Sequence, residues 1–175
     1  QTGYEVSIPF IRMMAGPMDY TPGAMRNASK DAYRPVNSNP MSQGTRCHQL
    51  AMYTIFEAPL QMLSDNPTTY MKEKESTDFI AAVPTTFDET VALDGKVGEF
   101  VAIARRKGTT WFAGAMSNWD ARDIKIDLSF LGDGKYKAIL FEDGVNADRN
   151  GTDYLRREVT VTAKDHLDIN KAAGD

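Results

Sequence analysis

The feature that most constrains this chain is a change of pattern near residue 80. Before it, apolar residues recur at helical spacing among scattered methionines and prolines. After it, short alternating runs are separated by Gly and Asp, the pattern of strands and turns. The two patterns divide the chain into residues 1–80 and 81–175, an α/β unit followed by an all-β unit.

In the second unit the runs near residues 89–92, 99–106, 110–117, 123–127, 136–142, 156–162 and 166–169 predict about seven strands, at the spacing of a β-sandwich. Ile124, Ile126 and Leu128 alternate with Lys125 and Asp127, which marks a half-exposed strand. Phe100 to Arg106 alternates imperfectly, so this strand is expected to be covered on both faces. Lys107-Gly108 and Asp133-Gly134 supply turn residues between runs. The chain carries no internal repeat and no low-complexity tract.

The first unit opens with an apolar run, residues 10–15, closed by Gly16-Pro17. A strand buried on both faces, as in an α/β barrel, reads this way, and so does a buried helical segment. A turn-rich loop follows at residues 19–23. Residues 43–63 then predict a helix with Leu50, Ala51, Ile55, Phe56, Leu60 and Leu63 along one stripe. Pro59 is expected to kink or split it, and Asp65-Asn66-Pro67 to end it. Strand, helix, then an antiparallel domain is the order of a (β/α)8 barrel's last unit followed by a C-terminal β-sandwich. One βα unit cannot close a barrel, so the remainder is expected upstream of Gln1 or in another chain. The opening Gln1-Thr2-Gly3-Tyr4, without an initiator Met, agrees with a fragment or a processed product.

A net charge of −4 gives no electrostatic reason to expect nucleic acid or an anionic membrane as a partner. The densest basic cluster, Arg105-Arg106-Lys107, reads as a solvated hairpin. The one cysteine, Cys47, rules out an intrachain disulfide. No run approaches the roughly 20 apolar residues of a membrane span.

Several residues are candidates for chemistry. Asp19 follows the expected barrel strand, where side chains line active sites; it can bind sugar hydroxyls, or simply stabilise its own turn. Glu5 lies just before that strand. Arg46, His48 and Gln49 open the long helix, without the spacing of a zinc site or of a Cys–His pair. Trp111, Trp119, Phe112, Tyr136 and Phe141 read mainly as core aromatics, with Trp119 the candidate for exposure on a glycan platform. Asp143, Asp148 and Asp153, with Asn146 and Asn150, form an acidic loop that lacks EF-hand spacing.

Long strings of the chain resemble glycoside hydrolase family 97, which includes α-glucosidases of bacterial starch utilisation. They are residues 8–23 (IPFIRMMAGPMDYTPG), 41–53 (MSQGTRCHQLAMY), 79–85 (FIAAVPT), 94–99 (DGKVGE), 103–108 (IARRKG), 127–132 (DLSFLG) and 143–149 (DGVNADR). The resemblance covers nearly the whole chain in order. It implies an N-terminal β-supersandwich, a (β/α)8 barrel and a C-terminal β-sandwich, with a calcium ion held by glutamates in the active site. It also implies hydrolysis of α-glucosides with inversion or of α-galactosides with retention, on an oligosaccharide substrate in a bacterial periplasm or outside the cell. The family's general-acid glutamate lies a few residues before the Pro-Phe-x-Arg segment. Glu5 occupies about that place and is carried over as general acid and calcium ligand, with Val6 where the family has a His. Asp19 is carried as a substrate-binding residue. The other catalytic residues are expected upstream, so the piece alone is expected to be inactive. The alternative is a non-catalytic sandwich that binds carbohydrate or braces the barrel.

Overall fold

The structure, a computed structural model, describes residues 2–172 and Gly174. The first half contains a helical turn α1 (Thr2–Glu5), two 3-10 turns (Ile8–Phe10 and Arg12–Ala15), β1 (Asn27–Ala28), β2 (Ser42–Gln43), α2 (Arg46–Ile55), α3 (Pro67–Lys72) and α4 (Lys74–Ala82). The second half contains β3 (Glu89–Lys96), β4 (Phe100–Lys107), β5 (Thr110–Ser117), β6 (Arg122–Asp127), β7 (Tyr136–Asp143), β8 (Tyr154–Val161) and β9 (His166–Lys171).

All seven expected strands of the second half form. They make antiparallel sheets in the order β3-β4-β5, β6-β9 and β7-β8. Ala102 and Ala115 of the first sheet pack against Ile124, Ile126, Leu140, Val161 and Ile169 of the others, which fits a β-sandwich. The opposite face of the first sheet is also covered. There Val101, Ile103 and Met116 meet Val6, Ile8, Ala51, Met52, Ile55 and Phe56. The β3-β4-β5 sheet is therefore a central layer between two hydrophobic cores. This explains the broken alternation along β4, where Val101 through Arg105 are all buried. At the β4–β5 turn Gly108 takes φ 57°, the left-handed conformation that glycine adopts without strain.

The first half departs from expectation in two places. Residues 10–15 do not form a strand. Pro9 fixes a helical φ and removes a ladder donor, so the run enters a 3-10 turn, and Ile11 and Met14 stand exposed. The long helix spans only Arg46–Ile55 and ends at Phe56, whose extended ψ of 133° precedes Pro59. Leu50, Ala51, Ile55 and Phe56 of the expected stripe are buried, whereas Leu60 and Leu63 lie beyond the helix and are exposed. No helix among the described residues is long and apolar enough to cross a membrane.

Every residue of α2 is buried, including its polar first turn. Thr45 caps it, its hydroxyl accepting from the His48 amide at 3.1 Å. At the other end the buried Arg105 of β4 donates to the Ile55 carbonyl at 3.0 Å, which places a cation against the negative end of the helix. The helix lies so close to β5 that a Cβ on Gly114 would sit 3.0 Å from both the Ala51 carbonyl oxygen and Ile55 Cγ1. Gly114→Val should therefore lower the unfolding free energy by roughly 2 kcal/mol or more in urea titration, as overpacking of a rigid contact does. Gly3→Ala, where nothing lies within 4 Å, should have no such effect.

Candidate functional site

Two buried polar clusters surround the first turn of α2. In the first, the Glu5 carboxylate accepts from the Tyr20 hydroxyl at 2.9 Å and lies 3.0 Å from His48 Nε2. His48 is 0% exposed and Glu5 6%. With a carboxylate oxygen facing it, Nε2 carries the proton of this bond. Nδ1 is buried with no hydrogen-bond partner among the described residues. Tyr20 is fixed further by its edge-on contact with Phe56, ring centroids 4.7 Å apart.

Burial alone would raise the Glu5 pKa. The hydrogen bond and charge of His48, with the Tyr20 hydroxyl, outweigh it and hold the carboxyl below its ordinary range. Burial and the Glu5 charge push the Tyr20 phenol upward, so Tyr20 remains a donor. The cluster thus favours an ionised, fully engaged carboxylate, whereas a general acid must hold a proton at working pH.

The second cluster centres on Arg46, 1% exposed. Its Nε donates to Asn27 Oδ1 at 2.7 Å, and its Nη1 to Glu73 Oε2 at 3.0 Å and Ser76 Oγ at 3.1 Å. Its Nη2 reaches the Met25 carbonyl, and its backbone N–H the Gly151 carbonyl of the β7–β8 loop. The Tyr154 ring of β8 lies 5.9 Å from the guanidinium carbon. The carboxylate partner of Arg46 is Glu73.

The structure brings Glu5, Tyr20 and His48 together and leaves Asp19 outside that hydrogen-bonded cluster. Asp19 is exposed, between Met18, whose N–H bonds the Glu57 carbonyl, and Tyr20, which bridges to Gln61. Tyr20 and His48 lie 15 and 43 residues from Glu5, and no sequence spacing marks that meeting. Both carboxylate oxygens of Glu5 are engaged, and no group of three or more His, Cys, Asp or Glu side chains suited to a metal exists among the described residues.

The aromatics are packed rather than laid out as a platform. Trp111 packs at a tilt against Phe130, ring centroids 4.9 Å apart, Phe112 meets Phe87, and Phe141 lies between Phe79 and Tyr154. Trp119 is half-buried, its ring within 2.4 Å of where a Cβ on Gly174 would stand. The acidic loop closes on itself, Asp153 accepting from the Asn146 amide and Asn150 from Thr152. Of the basic cluster, Arg106 and Lys107 pair with Glu89 and Asp88, but Arg105 is buried against α2 rather than solvated.

Residues 86–175 match the family model described as the glycosyl-hydrolase 97 C-terminal, oligomerisation domain. The chain belongs to glycoside hydrolase family 97. It is 56% identical over 174 residues to a retaining alpha-galactosidase of Bacteroides thetaiotaomicron, covering 99% of this chain and 26% of that protein. A probable retaining alpha-galactosidase of Streptomyces bingchenggensis is 30% identical over 138 residues, covering 79% and 20%. Among solved structures, a family 97 enzyme from Pseudoalteromonas sp. strain K8 in complex with acarbose superposes with a TM-score of 0.87 at 32% identity, covering 99% and 27%. The matched part is a fifth to about a quarter of the length of these relatives.

The depressed Glu5 pKa carries a sign. A group ionised more readily in the folded state stabilises it above the unfolded-state pKa, and that contribution disappears as pH falls through the folded value. The stability gap between wild type and Glu5→Gln should therefore be full at pH 7 and narrow progressively below about pH 4, near the ordinary glutamate value. Thermal unfolding of both proteins across that range measures it; a gap that widens on acidification contradicts the assignment.

Proposed function

We propose that the full-length protein is a retaining α-galactosidase of family 97 and that this chain is its C-terminal part. The observation that carries the reading is the 56% identity, along 99% of the chain, to a retaining alpha-galactosidase. In this reading residues 1–80 complete the (β/α)8 barrel and residues 81–175 are the sandwich beside it. Exposed Tyr4, Ile11, Met14, Leu60 and Leu63, all in the first half, support a face covered by the rest of a barrel.

Retention requires two carboxyl groups about 5 Å apart, one a nucleophile and the other alternating as acid and base. We assign Glu5 to neither role. It is a positioning residue that ties α1 to α2 through His48 and to the turn around Tyr20. The nucleophile, the acid and the ligands of any calcium ion then belong to parts of the protein that this chain does not span. Residues 86–175 contribute oligomerisation, in line with the description of the family model they match. The packed aromatics give a glycan-binding role for the sandwich no platform.

The full-length protein should hydrolyse p-nitrophenyl α-galactoside in preference to the α-glucoside, and NMR of the first-formed sugar should show the α-anomer. Release of the β-anomer, or preference for the glucoside, contradicts the reading. Glu5→Gln should lower kcat less than about tenfold while lowering the thermal midpoint. Loss of a general acid costs about a hundredfold or more, so a drop of that size confined to poor leaving groups would return the acid role to Glu5.

A further inference from the structure

The loop between β7 and β8 holds the one Asn-Gly dipeptide of the chain, Asn150-Gly151. An asparagine followed by glycine closes readily to a succinimide, because no Cβ crowds the glycine nitrogen as it attacks the side-chain amide. The fold requires a glycine here. A Cβ on Gly151 would meet the Gly44 carbonyl oxygen at 2.7 Å and Asn27 at 3.0 Å. Asn150 itself is exposed, so water reaches its side chain.

Three hydrogen bonds bear on the two reacting groups. Asn150 Oδ1 accepts from the Thr152 hydroxyl at 2.7 Å and from the Thr152 N–H at 3.2 Å. A backbone N–H can only donate, which sets Oδ1 rather than Nδ2 on that side. Two donors on this oxygen are placed for the negative charge it gains when Cγ is attacked, as in an oxyanion hole. The Asn150 main-chain carbonyl accepts from the Asp153 N–H at 2.8 Å. That carbonyl shares an amide with the Gly151 nitrogen, so this bond stabilises the amide anion that attacks. The Gly151 N–H donates to no group among the described residues.

We propose that Asn150 is a self-modification site, at which the native protein forms a succinimide with Gly151 and opens it to aspartyl and isoaspartyl forms. The Gly151 nitrogen gives its proton to solvent base and bonds Asn150 Cγ. The Cγ–Nδ2 bond breaks, and the leaving nitrogen takes a proton from water and departs as ammonia. Water then opens the ring. Cleavage between Cγ and the Gly151 nitrogen leaves aspartate, and cleavage between the main-chain carbonyl carbon and that nitrogen leaves isoaspartate. Both products add a negative charge. The isoaspartyl form also lengthens the main chain by one carbon next to Gly151, whose carbonyl accepts from the Arg46 N–H at 2.6 Å. It therefore loosens the bond that fastens the first turn of α2 to the sandwich.

Ageing of the full-length protein in mildly alkaline buffer, followed by peptide mass spectrometry, tests this. Asn146, exposed on the same loop but followed by Ala147, is the internal reference. Asn150 should convert at least about tenfold faster than Asn146, since glycine alone leaves the attacking nitrogen uncrowded. Thr152→Val, which keeps the side-chain shape and removes the hydroxyl donor, should slow conversion roughly fivefold, the worth of one exposed hydrogen bond. An Asn150 that stays intact in the native protein while converting in urea overturns the proposal. Faster conversion in Thr152→Val overturns the role given to the hydroxyl, because the bond would then restrain the side chain. The isoaspartyl fraction should unfold at a lower temperature than both fresh protein and Asn150→Asp, which adds the charge without the extra carbon. A midpoint equal to that of Asn150→Asp overturns the loosening of α2.

Discussion

The guanidinium of Arg46 joins three separate parts of the chain. From one buried position it holds the loop at Met25 and Asn27, the α3–α4 junction at Glu73 and Ser76, and the ring of Tyr154 on β8. A buried charge of this kind is tolerated because Nε, Nη1 and Nη2 each meet an acceptor. Glu73 is 42% exposed at its side chain, so the ion pair itself contributes modestly. The larger effect of losing Arg46 would be a set of buried acceptors with no donor. The backbone of the same residue bonds Gly151, so the first turn of α2 is fastened to the sandwich by main chain and side chain together.

Arg105 performs the reciprocal task at the far end. It belongs to the central sheet and reaches out to the last carbonyl-bearing residue of α2, while Gly114 lets the helix close onto β5. A helix buried along its whole length, pinned at both ends by arginines, makes the junction between the halves a core rather than a hinge. The Glu5–His48–Tyr20 cluster extends the same junction to the start of the chain.

Much of the sandwich was legible in the sequence because alternation and Gly or Asp turns are local signals. Ile124, Ile126 and Leu128 declare their strand unaided, and the disturbed alternation of β4 announces a second core. The first half was harder to read. Residues 10–15 carry the composition of a buried strand, but Pro9 turns them into a 3-10 segment. The apolar stripe beyond Ile55 continues through Leu60 and Leu63 although the helix has ended. The candidate site was least visible of all. Glu5 and His48 meet across 43 residues, and the meeting depends on packing of Val6, Ile8 and Phe56 that no spacing encodes. Family resemblance pointed to Glu5, and the structure surrounds its carboxylate with Tyr20 and His48.

The central claim is that α2 and the β4–β5 hairpin share one core and open as one unit. Native-state hydrogen exchange on the full-length protein, comparing wild type with Arg46→Met, measures this directly. The amides of α2 and of β4–β5 should share one opening free energy and lose the same amount of it on substitution. Loss of protection confined to α2, with β4–β5 unchanged, would contradict the account.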